Sequence, residues 1–145
     1  MGGIKTLNEL KDSFTDIPPC RGIYRILLPD NMNISFTATI AGHSFDAYPL
    51  EKLSERYAVL KAARILYIGK ASGKQGLRQR LRQYMNYGFN GGKNHRGGRV
   101  IFQIKGFENL LCQWTCVSNC EAEEHRLLQA FKQQYGDYPI ANWRG

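Results

Sequence analysis

The stretch Ala63–Asn86, ARILYIGKASGKQGLRQRLRQYMN, decides the fold that we expect for this chain. It opens with an apolar run, Ile65–Ile68, that is short enough for one buried strand, and Gly69 is expected to end that strand. A loop rich in glycine and lysine follows as far as Gly76. A helix with apolar residues at helical spacing and three interleaved arginines comes next (Leu77, Leu81, Met85; Arg78, Arg80, Arg82). A strand, a tight glycine loop and a cationic helix form one recurring arrangement for binding a phosphate.

Length and charge narrow the class of protein. A chain of 145 residues with 43% hydrophobic residues is long enough for one compact domain with a buried core. The net charge of +8 favours a polyanionic partner, although a basic surface that only maintains solubility is about as common. No apolar stretch approaches the roughly 20 residues of a membrane span, and no signal peptide is recognisable, so we expect a cytoplasmic protein.

Three of the four cysteines are evenly spaced, which raises the question of a metal site (Cys20, Cys112, Cys116, Cys120). On the strand predicted for Leu110–Val117, Cys112 and Cys116 would lie about 13 Å apart at roughly 3.3 Å per residue. Each zinc ligand lies only about 2.3 Å from the ion, so strand neighbours at this spacing do not share one. We therefore expect four buried, reduced thiols and no zinc site.

The rest of the chain predicts a small α+β fold, and because it contains no internal repeat or linker, residues 1–145 are treated as one domain. The expected sheet has three or four mostly antiparallel strands flanked by helices. Strands besides the central one are predicted at four positions, the last two as a hairpin: Gly22–Leu28, Asn33–Ile40, Arg99–Ile104 and Leu110–Val117.

Capping motifs and helical spacing predict three further helices. Thr6 and Glu9 form a capping box for a helix that ends near Phe14. The repeat in Leu50–Leu60 predicts a helix with Arg56 on its outer face. A second capping box, Ser118 and Glu121, opens a helix over Asn119–Tyr135. Tyr87–Gly98, with five glycines and no periodicity, is expected to be a flexible loop.

Glu124 is the most informative residue of the C-terminal helix. It lies near the centre of an apolar stripe, whereas Glu121 and Glu123 point toward solvent (Leu127, Leu128, Phe131 and Tyr135 form the stripe). A carboxylate on the buried face of a helix is costly unless a cation meets it. Two partners are open at this stage, a structural arginine or a divalent metal ion.

Several polar residues are candidates for contacts with a phosphate or a nucleic acid. Arg80 and Tyr84 lie one turn apart on the cationic helix, so both reach one point beyond the strand end, where a guanidinium matches a phosphate with two hydrogen bonds. Lys70 either adds a point charge there or is an ordinary loop lysine. Further nucleic-acid contacts are expected from the helix and the glycine-rich loop: Arg78, Arg82, Lys93, His95 and Arg96.

In their order along the chain, these motifs resemble the GIY-YIG nuclease domain family. The matching elements are Gly22-Ile23-Tyr24, Tyr67-Ile68-Gly69-Lys70, the frame L-x-x-R-L-x-x-Y (Leu77, Arg80, Leu81, Tyr84), Glu124-x-x-Leu127-Leu128-x-x-Phe131 and Ala141-Asn142. The resemblance spans most of the chain, and it implies a small central antiparallel sheet flanked by helices. Since Tyr24 and Tyr67 are 43 positions apart, residues 33–63 are expected to be an insertion of one strand and one helix.

The activity that the resemblance implies is a metal-dependent endonuclease (a hydrolase) acting on DNA, or alternatively on RNA. Glu124 would hold one Mg²⁺ or Mn²⁺ ion, which polarises the scissile phosphate. Arg80 would neutralise charge that builds up on the phosphorus centre, with Arg78 or Arg82 as displaced alternatives.

The resemblance also implies roles for the remaining candidate catalytic residues. Tyr24 or Tyr67 would orient or deprotonate the attacking water, and a neighbouring Lys70 would lower the pKa of that tyrosine. Tyr84 would form a hydrogen bond within the site, and Asn142 would maintain its geometry. Which tyrosine is the base stays open.

Two other functions are compatible with the sequence, a non-catalytic nucleic-acid-binding module of the same fold and a protein-interaction domain. We expect no attached DNA-binding domain. Either the insertion and the glycine-rich loop select the substrate, or a protein partner or homo-oligomer does, or cleavage is weakly specific.

Overall fold

An antiparallel sheet forms the centre of the fold. The computed structural model describes residues 2–42, 46–92 and 97–143. Within these residues the chain has an α+β fold, in which a four-stranded antiparallel sheet has four helices packed against it. The strands, in the spatial order β1-β4-β2-β3, are β1 (Gly2–Thr6), β2 (Gly22–Leu27), β3 (Ile65–Ala71) and β4 (Leu111–Cys116).

The described helices surround this sheet and connect its strands. They are α1 (Leu7–Leu10), α2 (Leu50–Leu60), α3 (Gly76–Asn90) and α4 (Cys120–Tyr135). Two short 3₁₀ helices, Arg99–Gln103 and Phe107–Asn109, lie between α3 and β4. Among the described residues, no helix combines the length and the hydrophobicity needed to cross a membrane.

The sheet separates two packed layers. Tyr24, Ile26 and Tyr67 face the main core, which also contains the apolar sides of α1 and α3. Successive strand residues point to opposite faces, so Ile23 and Ile68 face the other way and pack against α4. A side chain of α4 therefore reaches the tyrosines only by passing around an edge of the sheet.

The C-terminal segment covers part of the edge strand β3. The Ala141 N–H donates to the Leu66 carbonyl oxygen over 2.9 Å. The Asn142 side chain pairs with Ile68, because its Oδ1 accepts from the Ile68 N–H and its Nδ2 donates to the Ile68 carbonyl oxygen, both over 2.9 Å. Asn142 thus takes the place of a neighbouring strand and satisfies polar groups that an edge leaves open.

Arg56 of α2 holds this C-terminal segment. Its guanidinium donates to four backbone carbonyl oxygens over 2.7–3.2 Å (Tyr138, Pro139, Ile140, Asn142). It also forms an ion pair with Asp137 over 3.2 Å and lies 4.8 Å from the centroid of the Trp143 ring. The expected outer-face position of Arg56 is therefore wrong, because the C-terminal segment packs over that side of α2.

Two predicted strands are absent from the described structure. Asn33–Ile40 has isolated β-bridges at Phe36, which pairs with Ile104, and at Ile40, but no strand. Arg99–Gln103 forms a 3₁₀ helix, so the predicted hairpin with β4 is wrong as well. Within this segment Ile40 is fully buried, Ile34 and Phe36 are partly buried against the core, and Ala38 is exposed. The fully buried Gln103 binds the backbone of the segment at Thr37 over 3.1 Å. These apolar side chains therefore pack against the core without forming a strand.

Other elements agree with the sequence or differ at their boundaries. The capping box of Thr6 and Glu9 is confirmed, although α1 has only four residues. At α4 the cap is Asn119, whose side chain accepts from Ala122 N, so the predicted box of Ser118 and Glu121 is wrong. The edge strand β1 was not predicted, because GGIKT has no alternating apolar pattern. α3 extends to Asn90 and so includes the first residues of the expected flexible loop.

Gly69 does not end β3, since the strand continues to Ala71 and pairs Gly69 with Tyr24 of β2. The Tyr24 ring lies directly over this glycine. A Cβ atom on residue 69 would come within 2.7 Å of the Tyr24 hydroxyl oxygen and closer still to the ring carbon Cζ. The glycine is therefore needed for close approach of the ring and not for breaking the strand.

The predicted state of the cysteines is wrong for two of the four. Cys20 and Cys116 form a disulfide across a sequence separation of 96 residues, with their Cα atoms 5.8 Å apart. Cys112 and Cys120 are free and buried, as expected, and burial raises the pKa of the Cys112 thiol. A disulfide is typical of oxidising surroundings, unlike the cytoplasmic setting expected from the sequence.

We expect the disulfide to stabilise the fold, because it closes a long loop in the unfolded chain. Replacing both Cys20 and Cys116 by serine should lower the free energy of unfolding by about 2–4 kcal/mol in urea denaturation. Thiol titration of the unfolded native chain should find two free thiols before reduction and four after it. Four thiols before reduction would contradict the disulfide.

Gly69→Ala should destabilise the protein by about 1–3 kcal/mol, because the added methyl group collides with the Tyr24 ring in a packed core. Gly73→Ala is the matched control, since a Cβ at residue 73 meets nothing within 4 Å. Both variants are compared by urea denaturation. Equal stability of the two would show that Tyr24 does not pack over Gly69.

Candidate active site

Two adjoining hollows lie beside β3, and Tyr67 and Glu124 line both of them. The α3 hollow, of about 370 Å³, is also lined by Lys70, Ala71, Gly76 and Arg80. The aromatic hollow, of about 310 Å³, is lined instead by Tyr48, Gly98, Arg99, Asn142 and Trp143. Residues from β3, α3, α4 and the C-terminal segment thus meet at one edge of the sheet.

Glu124 reaches this edge from the opposite side of the sheet. Its helix packs on the face that carries Ile23 and Ile68, yet its side chain lines the same two hollows as Tyr67. Glu124 is partly buried, and within the described part of the chain its carboxylate forms no ion pair or hydrogen bond. Of the two partners considered from the sequence, the structural arginine is not found among the described residues.

Arg80 is the arginine of α3 that reaches the α3 hollow. Arg78 instead donates from Nε to the Ile17 carbonyl oxygen over 2.7 Å, and Arg82 lies 5.5 Å from the centroid of the Phe14 ring. These two residues are one helical turn apart and both face the N-terminal segment. Neither of them is among the described residues that line the hollows, so the displaced alternatives to Arg80 lie elsewhere.

Three tyrosine rings pack together behind the hollows. The centroids of Tyr24, Tyr67 and Tyr84 lie 5.7–5.9 Å apart in all three pairs. Tyr24 and Tyr84 are fully buried, whereas Tyr67 is 7% exposed and lines both hollows. Tyr67 is therefore the ring of this cluster that faces the site, and the other two support it.

The hydroxyl groups of the two buried tyrosines have different surroundings. Tyr84 donates to the Gly98 carbonyl oxygen over 2.7 Å. The Tyr24 hydroxyl lies near Tyr67 and Arg80 but forms no hydrogen bond of ordinary geometry with the described residues. Burial raises the pKa of both groups well above 10, and Tyr67 adds to the rise while Arg80 opposes it. Both phenols are therefore neutral near pH 7.

Lys70 lines the α3 hollow but lies on the other face of β3 from Tyr67, because adjacent strand residues alternate. Arg80, and not Lys70, is the cation that lowers the pKa of Tyr24. Lys70 acts instead on Glu121 of α4. A hydrogen bond with its own backbone is the main cause of the lowered pKa of Glu121, and the Cys120 thiol and Lys70 lower it further. The expectation that Lys70 lowers the pKa of Tyr24 is thus wrong.

The donor set fits a divalent ion that is completed by substrate. The described residues include no group of three or more histidine, cysteine or acidic side chains that could hold a metal. Glu124 is the one carboxylate among the described residues that line the hollows. Magnesium is often bound through one or two carboxylates together with water and substrate phosphates. An uncompensated carboxylate in a hollow that is open to substrate fits that mode.

Sequence reasoning missed several residues that form or support the hollows. Tyr48, Arg99 and Trp143 line the aromatic hollow, and Arg56 supports Asn142 through the C-terminal segment. Tyr48 and Trp143 lie in irregular segments, which carry no periodic signal. Arg56 and Arg99 lie in segments with a pattern, but neither pattern indicates a contact with a site. Three of the predicted nucleic-acid contacts lie outside the described residues: Lys93, His95 and Arg96.

The chain matches no protein-family model, no curated protein and no solved structure. The resemblance to the GIY-YIG family therefore rests on short motifs and their order along the chain. In the structure, Tyr67, Arg80 and Glu124 come from three separate elements and line one hollow.

Proposed function

We propose that this protein is a metal-dependent endonuclease of the GIY-YIG type, which hydrolyses phosphodiester bonds in DNA. The observation that carries the proposal is that Tyr67 of β3, Arg80 of α3 and Glu124 of α4 line one hollow. Phosphodiester hydrolysis needs an activated water, a compensating positive charge and a stabilised leaving oxygen. A phenol, a guanidinium and a metal-binding carboxylate are suited to these three tasks.

Arg80 and Lys70 provide the positive charge that a phosphate requires in the α3 hollow. The planar guanidinium of Arg80 can donate two parallel hydrogen bonds to phosphate oxygens. In this role it stabilises charge that increases as the water attacks. The net charge of +8 attracts the DNA backbone at longer range.

Glu124 is the residue that would hold a Mg²⁺ or Mn²⁺ ion. The residue is partly buried and its carboxylate forms no ion pair with a described residue, so the carboxylate is available to a cation. When bound, the ion supplies a Lewis acid that polarises the phosphate and stabilises the leaving oxygen. Arg80 lines the same hollow, so the phosphate would lie between the guanidinium and the carboxylate-bound ion.

Tyr67 is the tyrosine that we assign to the water. Its side chain lines both hollows, whereas Tyr24 is fully buried behind it. A free tyrosine has a pKa of about 10, so deprotonating a water near pH 7 requires nearby positive charge. Arg80 and the cation at Glu124 would provide that charge. The pairing of Asn142 with Ile68 fixes the backbone next to Tyr67, which keeps the phenol in place.

The chain departs from the family pattern in two places, in the longer loop Ala71–Gly76 and in an insertion between the two tyrosine motifs. Residues 33–63 contain α2 and no described strand, so the insertion consists of an irregular segment followed by a helix. Through Arg56 it contacts the C-terminal segment that covers β3. The insertion would therefore support the site as well as lie beside the sheet.

Glu124→Gln should lower the rate of Mg²⁺-dependent nicking of supercoiled plasmid by at least about a hundredfold, because a neutral amide holds a divalent cation poorly. Glu123→Gln is the matched control, since Glu123 pairs with Arg126 over 2.7 Å and lines neither hollow. It should cleave at nearly the native rate.

The same assay decides against a non-catalytic binding module. Such a module would bind plasmid with a steep dependence on salt and leave it intact, with or without metal. Absence of metal-dependent nicking by the native protein, or full activity of the Glu124→Gln variant, would contradict the proposed function.

Tyr67→Phe should slow cleavage by about 10²–10³-fold if its hydroxyl activates the water. Tyr24→Phe should slow it less than about tenfold and should leave stability unchanged or raised, because it removes a buried hydroxyl that has no described hydrogen-bond partner. Single-turnover cleavage and urea denaturation measure the two effects. The reverse order of activities would assign the water to Tyr24.

A further inference from the structure

The aromatic hollow contains side chains that the proposed cleavage step does not use. The rings of Tyr48 and Trp143 stack with their centroids 4.2 Å apart and their planes at 28°. The Arg99 guanidinium lies 4.4 Å from the centroid of Tyr48. All three side chains are partly exposed, and all three line the hollow beside Tyr67 and Glu124.

Independent contacts hold these side chains in position. Tyr48 is held at its backbone by the fully buried Gln103, whose Oε1 accepts from the Tyr48 N–H over 2.8 Å and whose Nε2 donates to the Tyr48 carbonyl oxygen over 2.9 Å. Arg99 donates from Nε to the Asp46 carbonyl oxygen over 2.6 Å. Arg56 lies 4.8 Å from the centroid of Trp143. A ligand would therefore meet a preorganised surface, and its binding would cost little conformational entropy of these side chains.

We propose that the aromatic hollow binds the base of an unpaired nucleotide next to the phosphate that is cleaved. This inference rests on the proposed function and names the class of DNA that the site accepts. Bases stack on aromatic rings and on guanidinium planes, and such contacts tolerate any sequence. Because Tyr67 and Glu124 border both hollows, a strand whose phosphate lies in the α3 hollow places a neighbouring nucleoside in the aromatic hollow.

The size of the hollow argues for a single base. A volume of about 310 Å³ is at the lower end of the range for ligand pockets, so it has room for one nucleoside and not for a base pair. A base in an intact duplex would have to leave its partner and its stack before it could enter. Bulged, flapped or single-stranded DNA avoids that cost. The preferred substrate is therefore DNA with an unpaired nucleotide at the cleavage position.

The fluorescence of Trp143 tests this inference directly. The probes are a single-stranded oligodeoxynucleotide, its fully paired duplex, and the same duplex with one bulged nucleotide, each titrated into the Glu124→Gln protein. We expect the single strand and the bulged duplex to quench the emission and the paired duplex to leave it nearly unchanged. Trp143→Phe should abolish the quenching, because Trp114 is only 4% exposed and lies in the core.

Kinetics of the active protein separate a role in binding from a structural one. For the bulged duplex, Trp143→Ala and Arg99→Lys should each raise KM about tenfold with little change in kcat, since stacking is lost but the catalytic groups stay in place. Phe14→Ala is the matched control, because it removes an aromatic ring that pairs with an arginine outside the hollows. It should leave KM unchanged.

Three results would overturn the inference. One is equal quenching by the paired duplex, and another is absence of quenching by any probe while the native protein still cleaves DNA. The third is a fall in kcat at constant KM for Trp143→Ala, which would assign Trp143 to supporting Asn142. In all three cases the proposed endonuclease activity stands, whereas absence of both DNA binding and cleavage would overturn that proposal as well.

Discussion

The pairing of the Asn142 amide with the backbone of Ile68 is the contact on which the candidate site depends. β3 is an edge strand of the described sheet, so without a partner its outward N–H and carbonyl groups would be open to solvent. Asn142 satisfies both groups at a position that is 7% exposed, where water competes little. Arg56 holds the segment that carries Asn142. A residue of α2 therefore acts, through the C-terminal segment, on the position of Tyr67.

Close packing around two glycines leaves the Tyr67 phenol exposed to the hollows and keeps the Tyr24 and Tyr84 phenols buried. Gly69 lets the Tyr24 ring lie against β3, and Gly98, at a φ of 73°, brings its backbone against Tyr67 and Tyr84. Burial keeps Tyr24 and Tyr84 neutral, because it raises the pKa of both. Tyr67 is held by rings on its inner side and is exposed to the hollows on its outer side. A rigid phenol with one accessible edge is suited to orienting a water.

The edge of the sheet is also where charges of opposite sign meet without neutralising each other. α4 lies on the face of the sheet opposite the tyrosines, and the edge is the route by which Glu124 reaches their side. Among the described residues Glu124 forms no ion pair with Arg80 or Lys70, although all three line the α3 hollow. A phosphate and a divalent ion would complement these charges together. On the proposed function, this arrangement would let a small fold hold a reacting phosphate with few side chains.

Local patterns in the sequence were sufficient to predict four elements and one capping box, namely β2, β4, α2, α4 and the box of Thr6 and Glu9. Periodicity and capping are properties of neighbouring residues, so they can be read from the sequence. They failed at Asn33–Ile40 and Arg99–Ile104, where alternating or continuous apolar residues pack as loop and 3₁₀ helix around Gln103. By itself the sequence determined which phenols, guanidinium and carboxylate are candidates for the chemistry. The tertiary structure alone decided that Tyr67 faces the hollows, that Arg80 and not Arg78 joins it, and that Cys20 meets Cys116. Those outcomes depend on packing between segments far apart in the chain, which a local pattern does not encode.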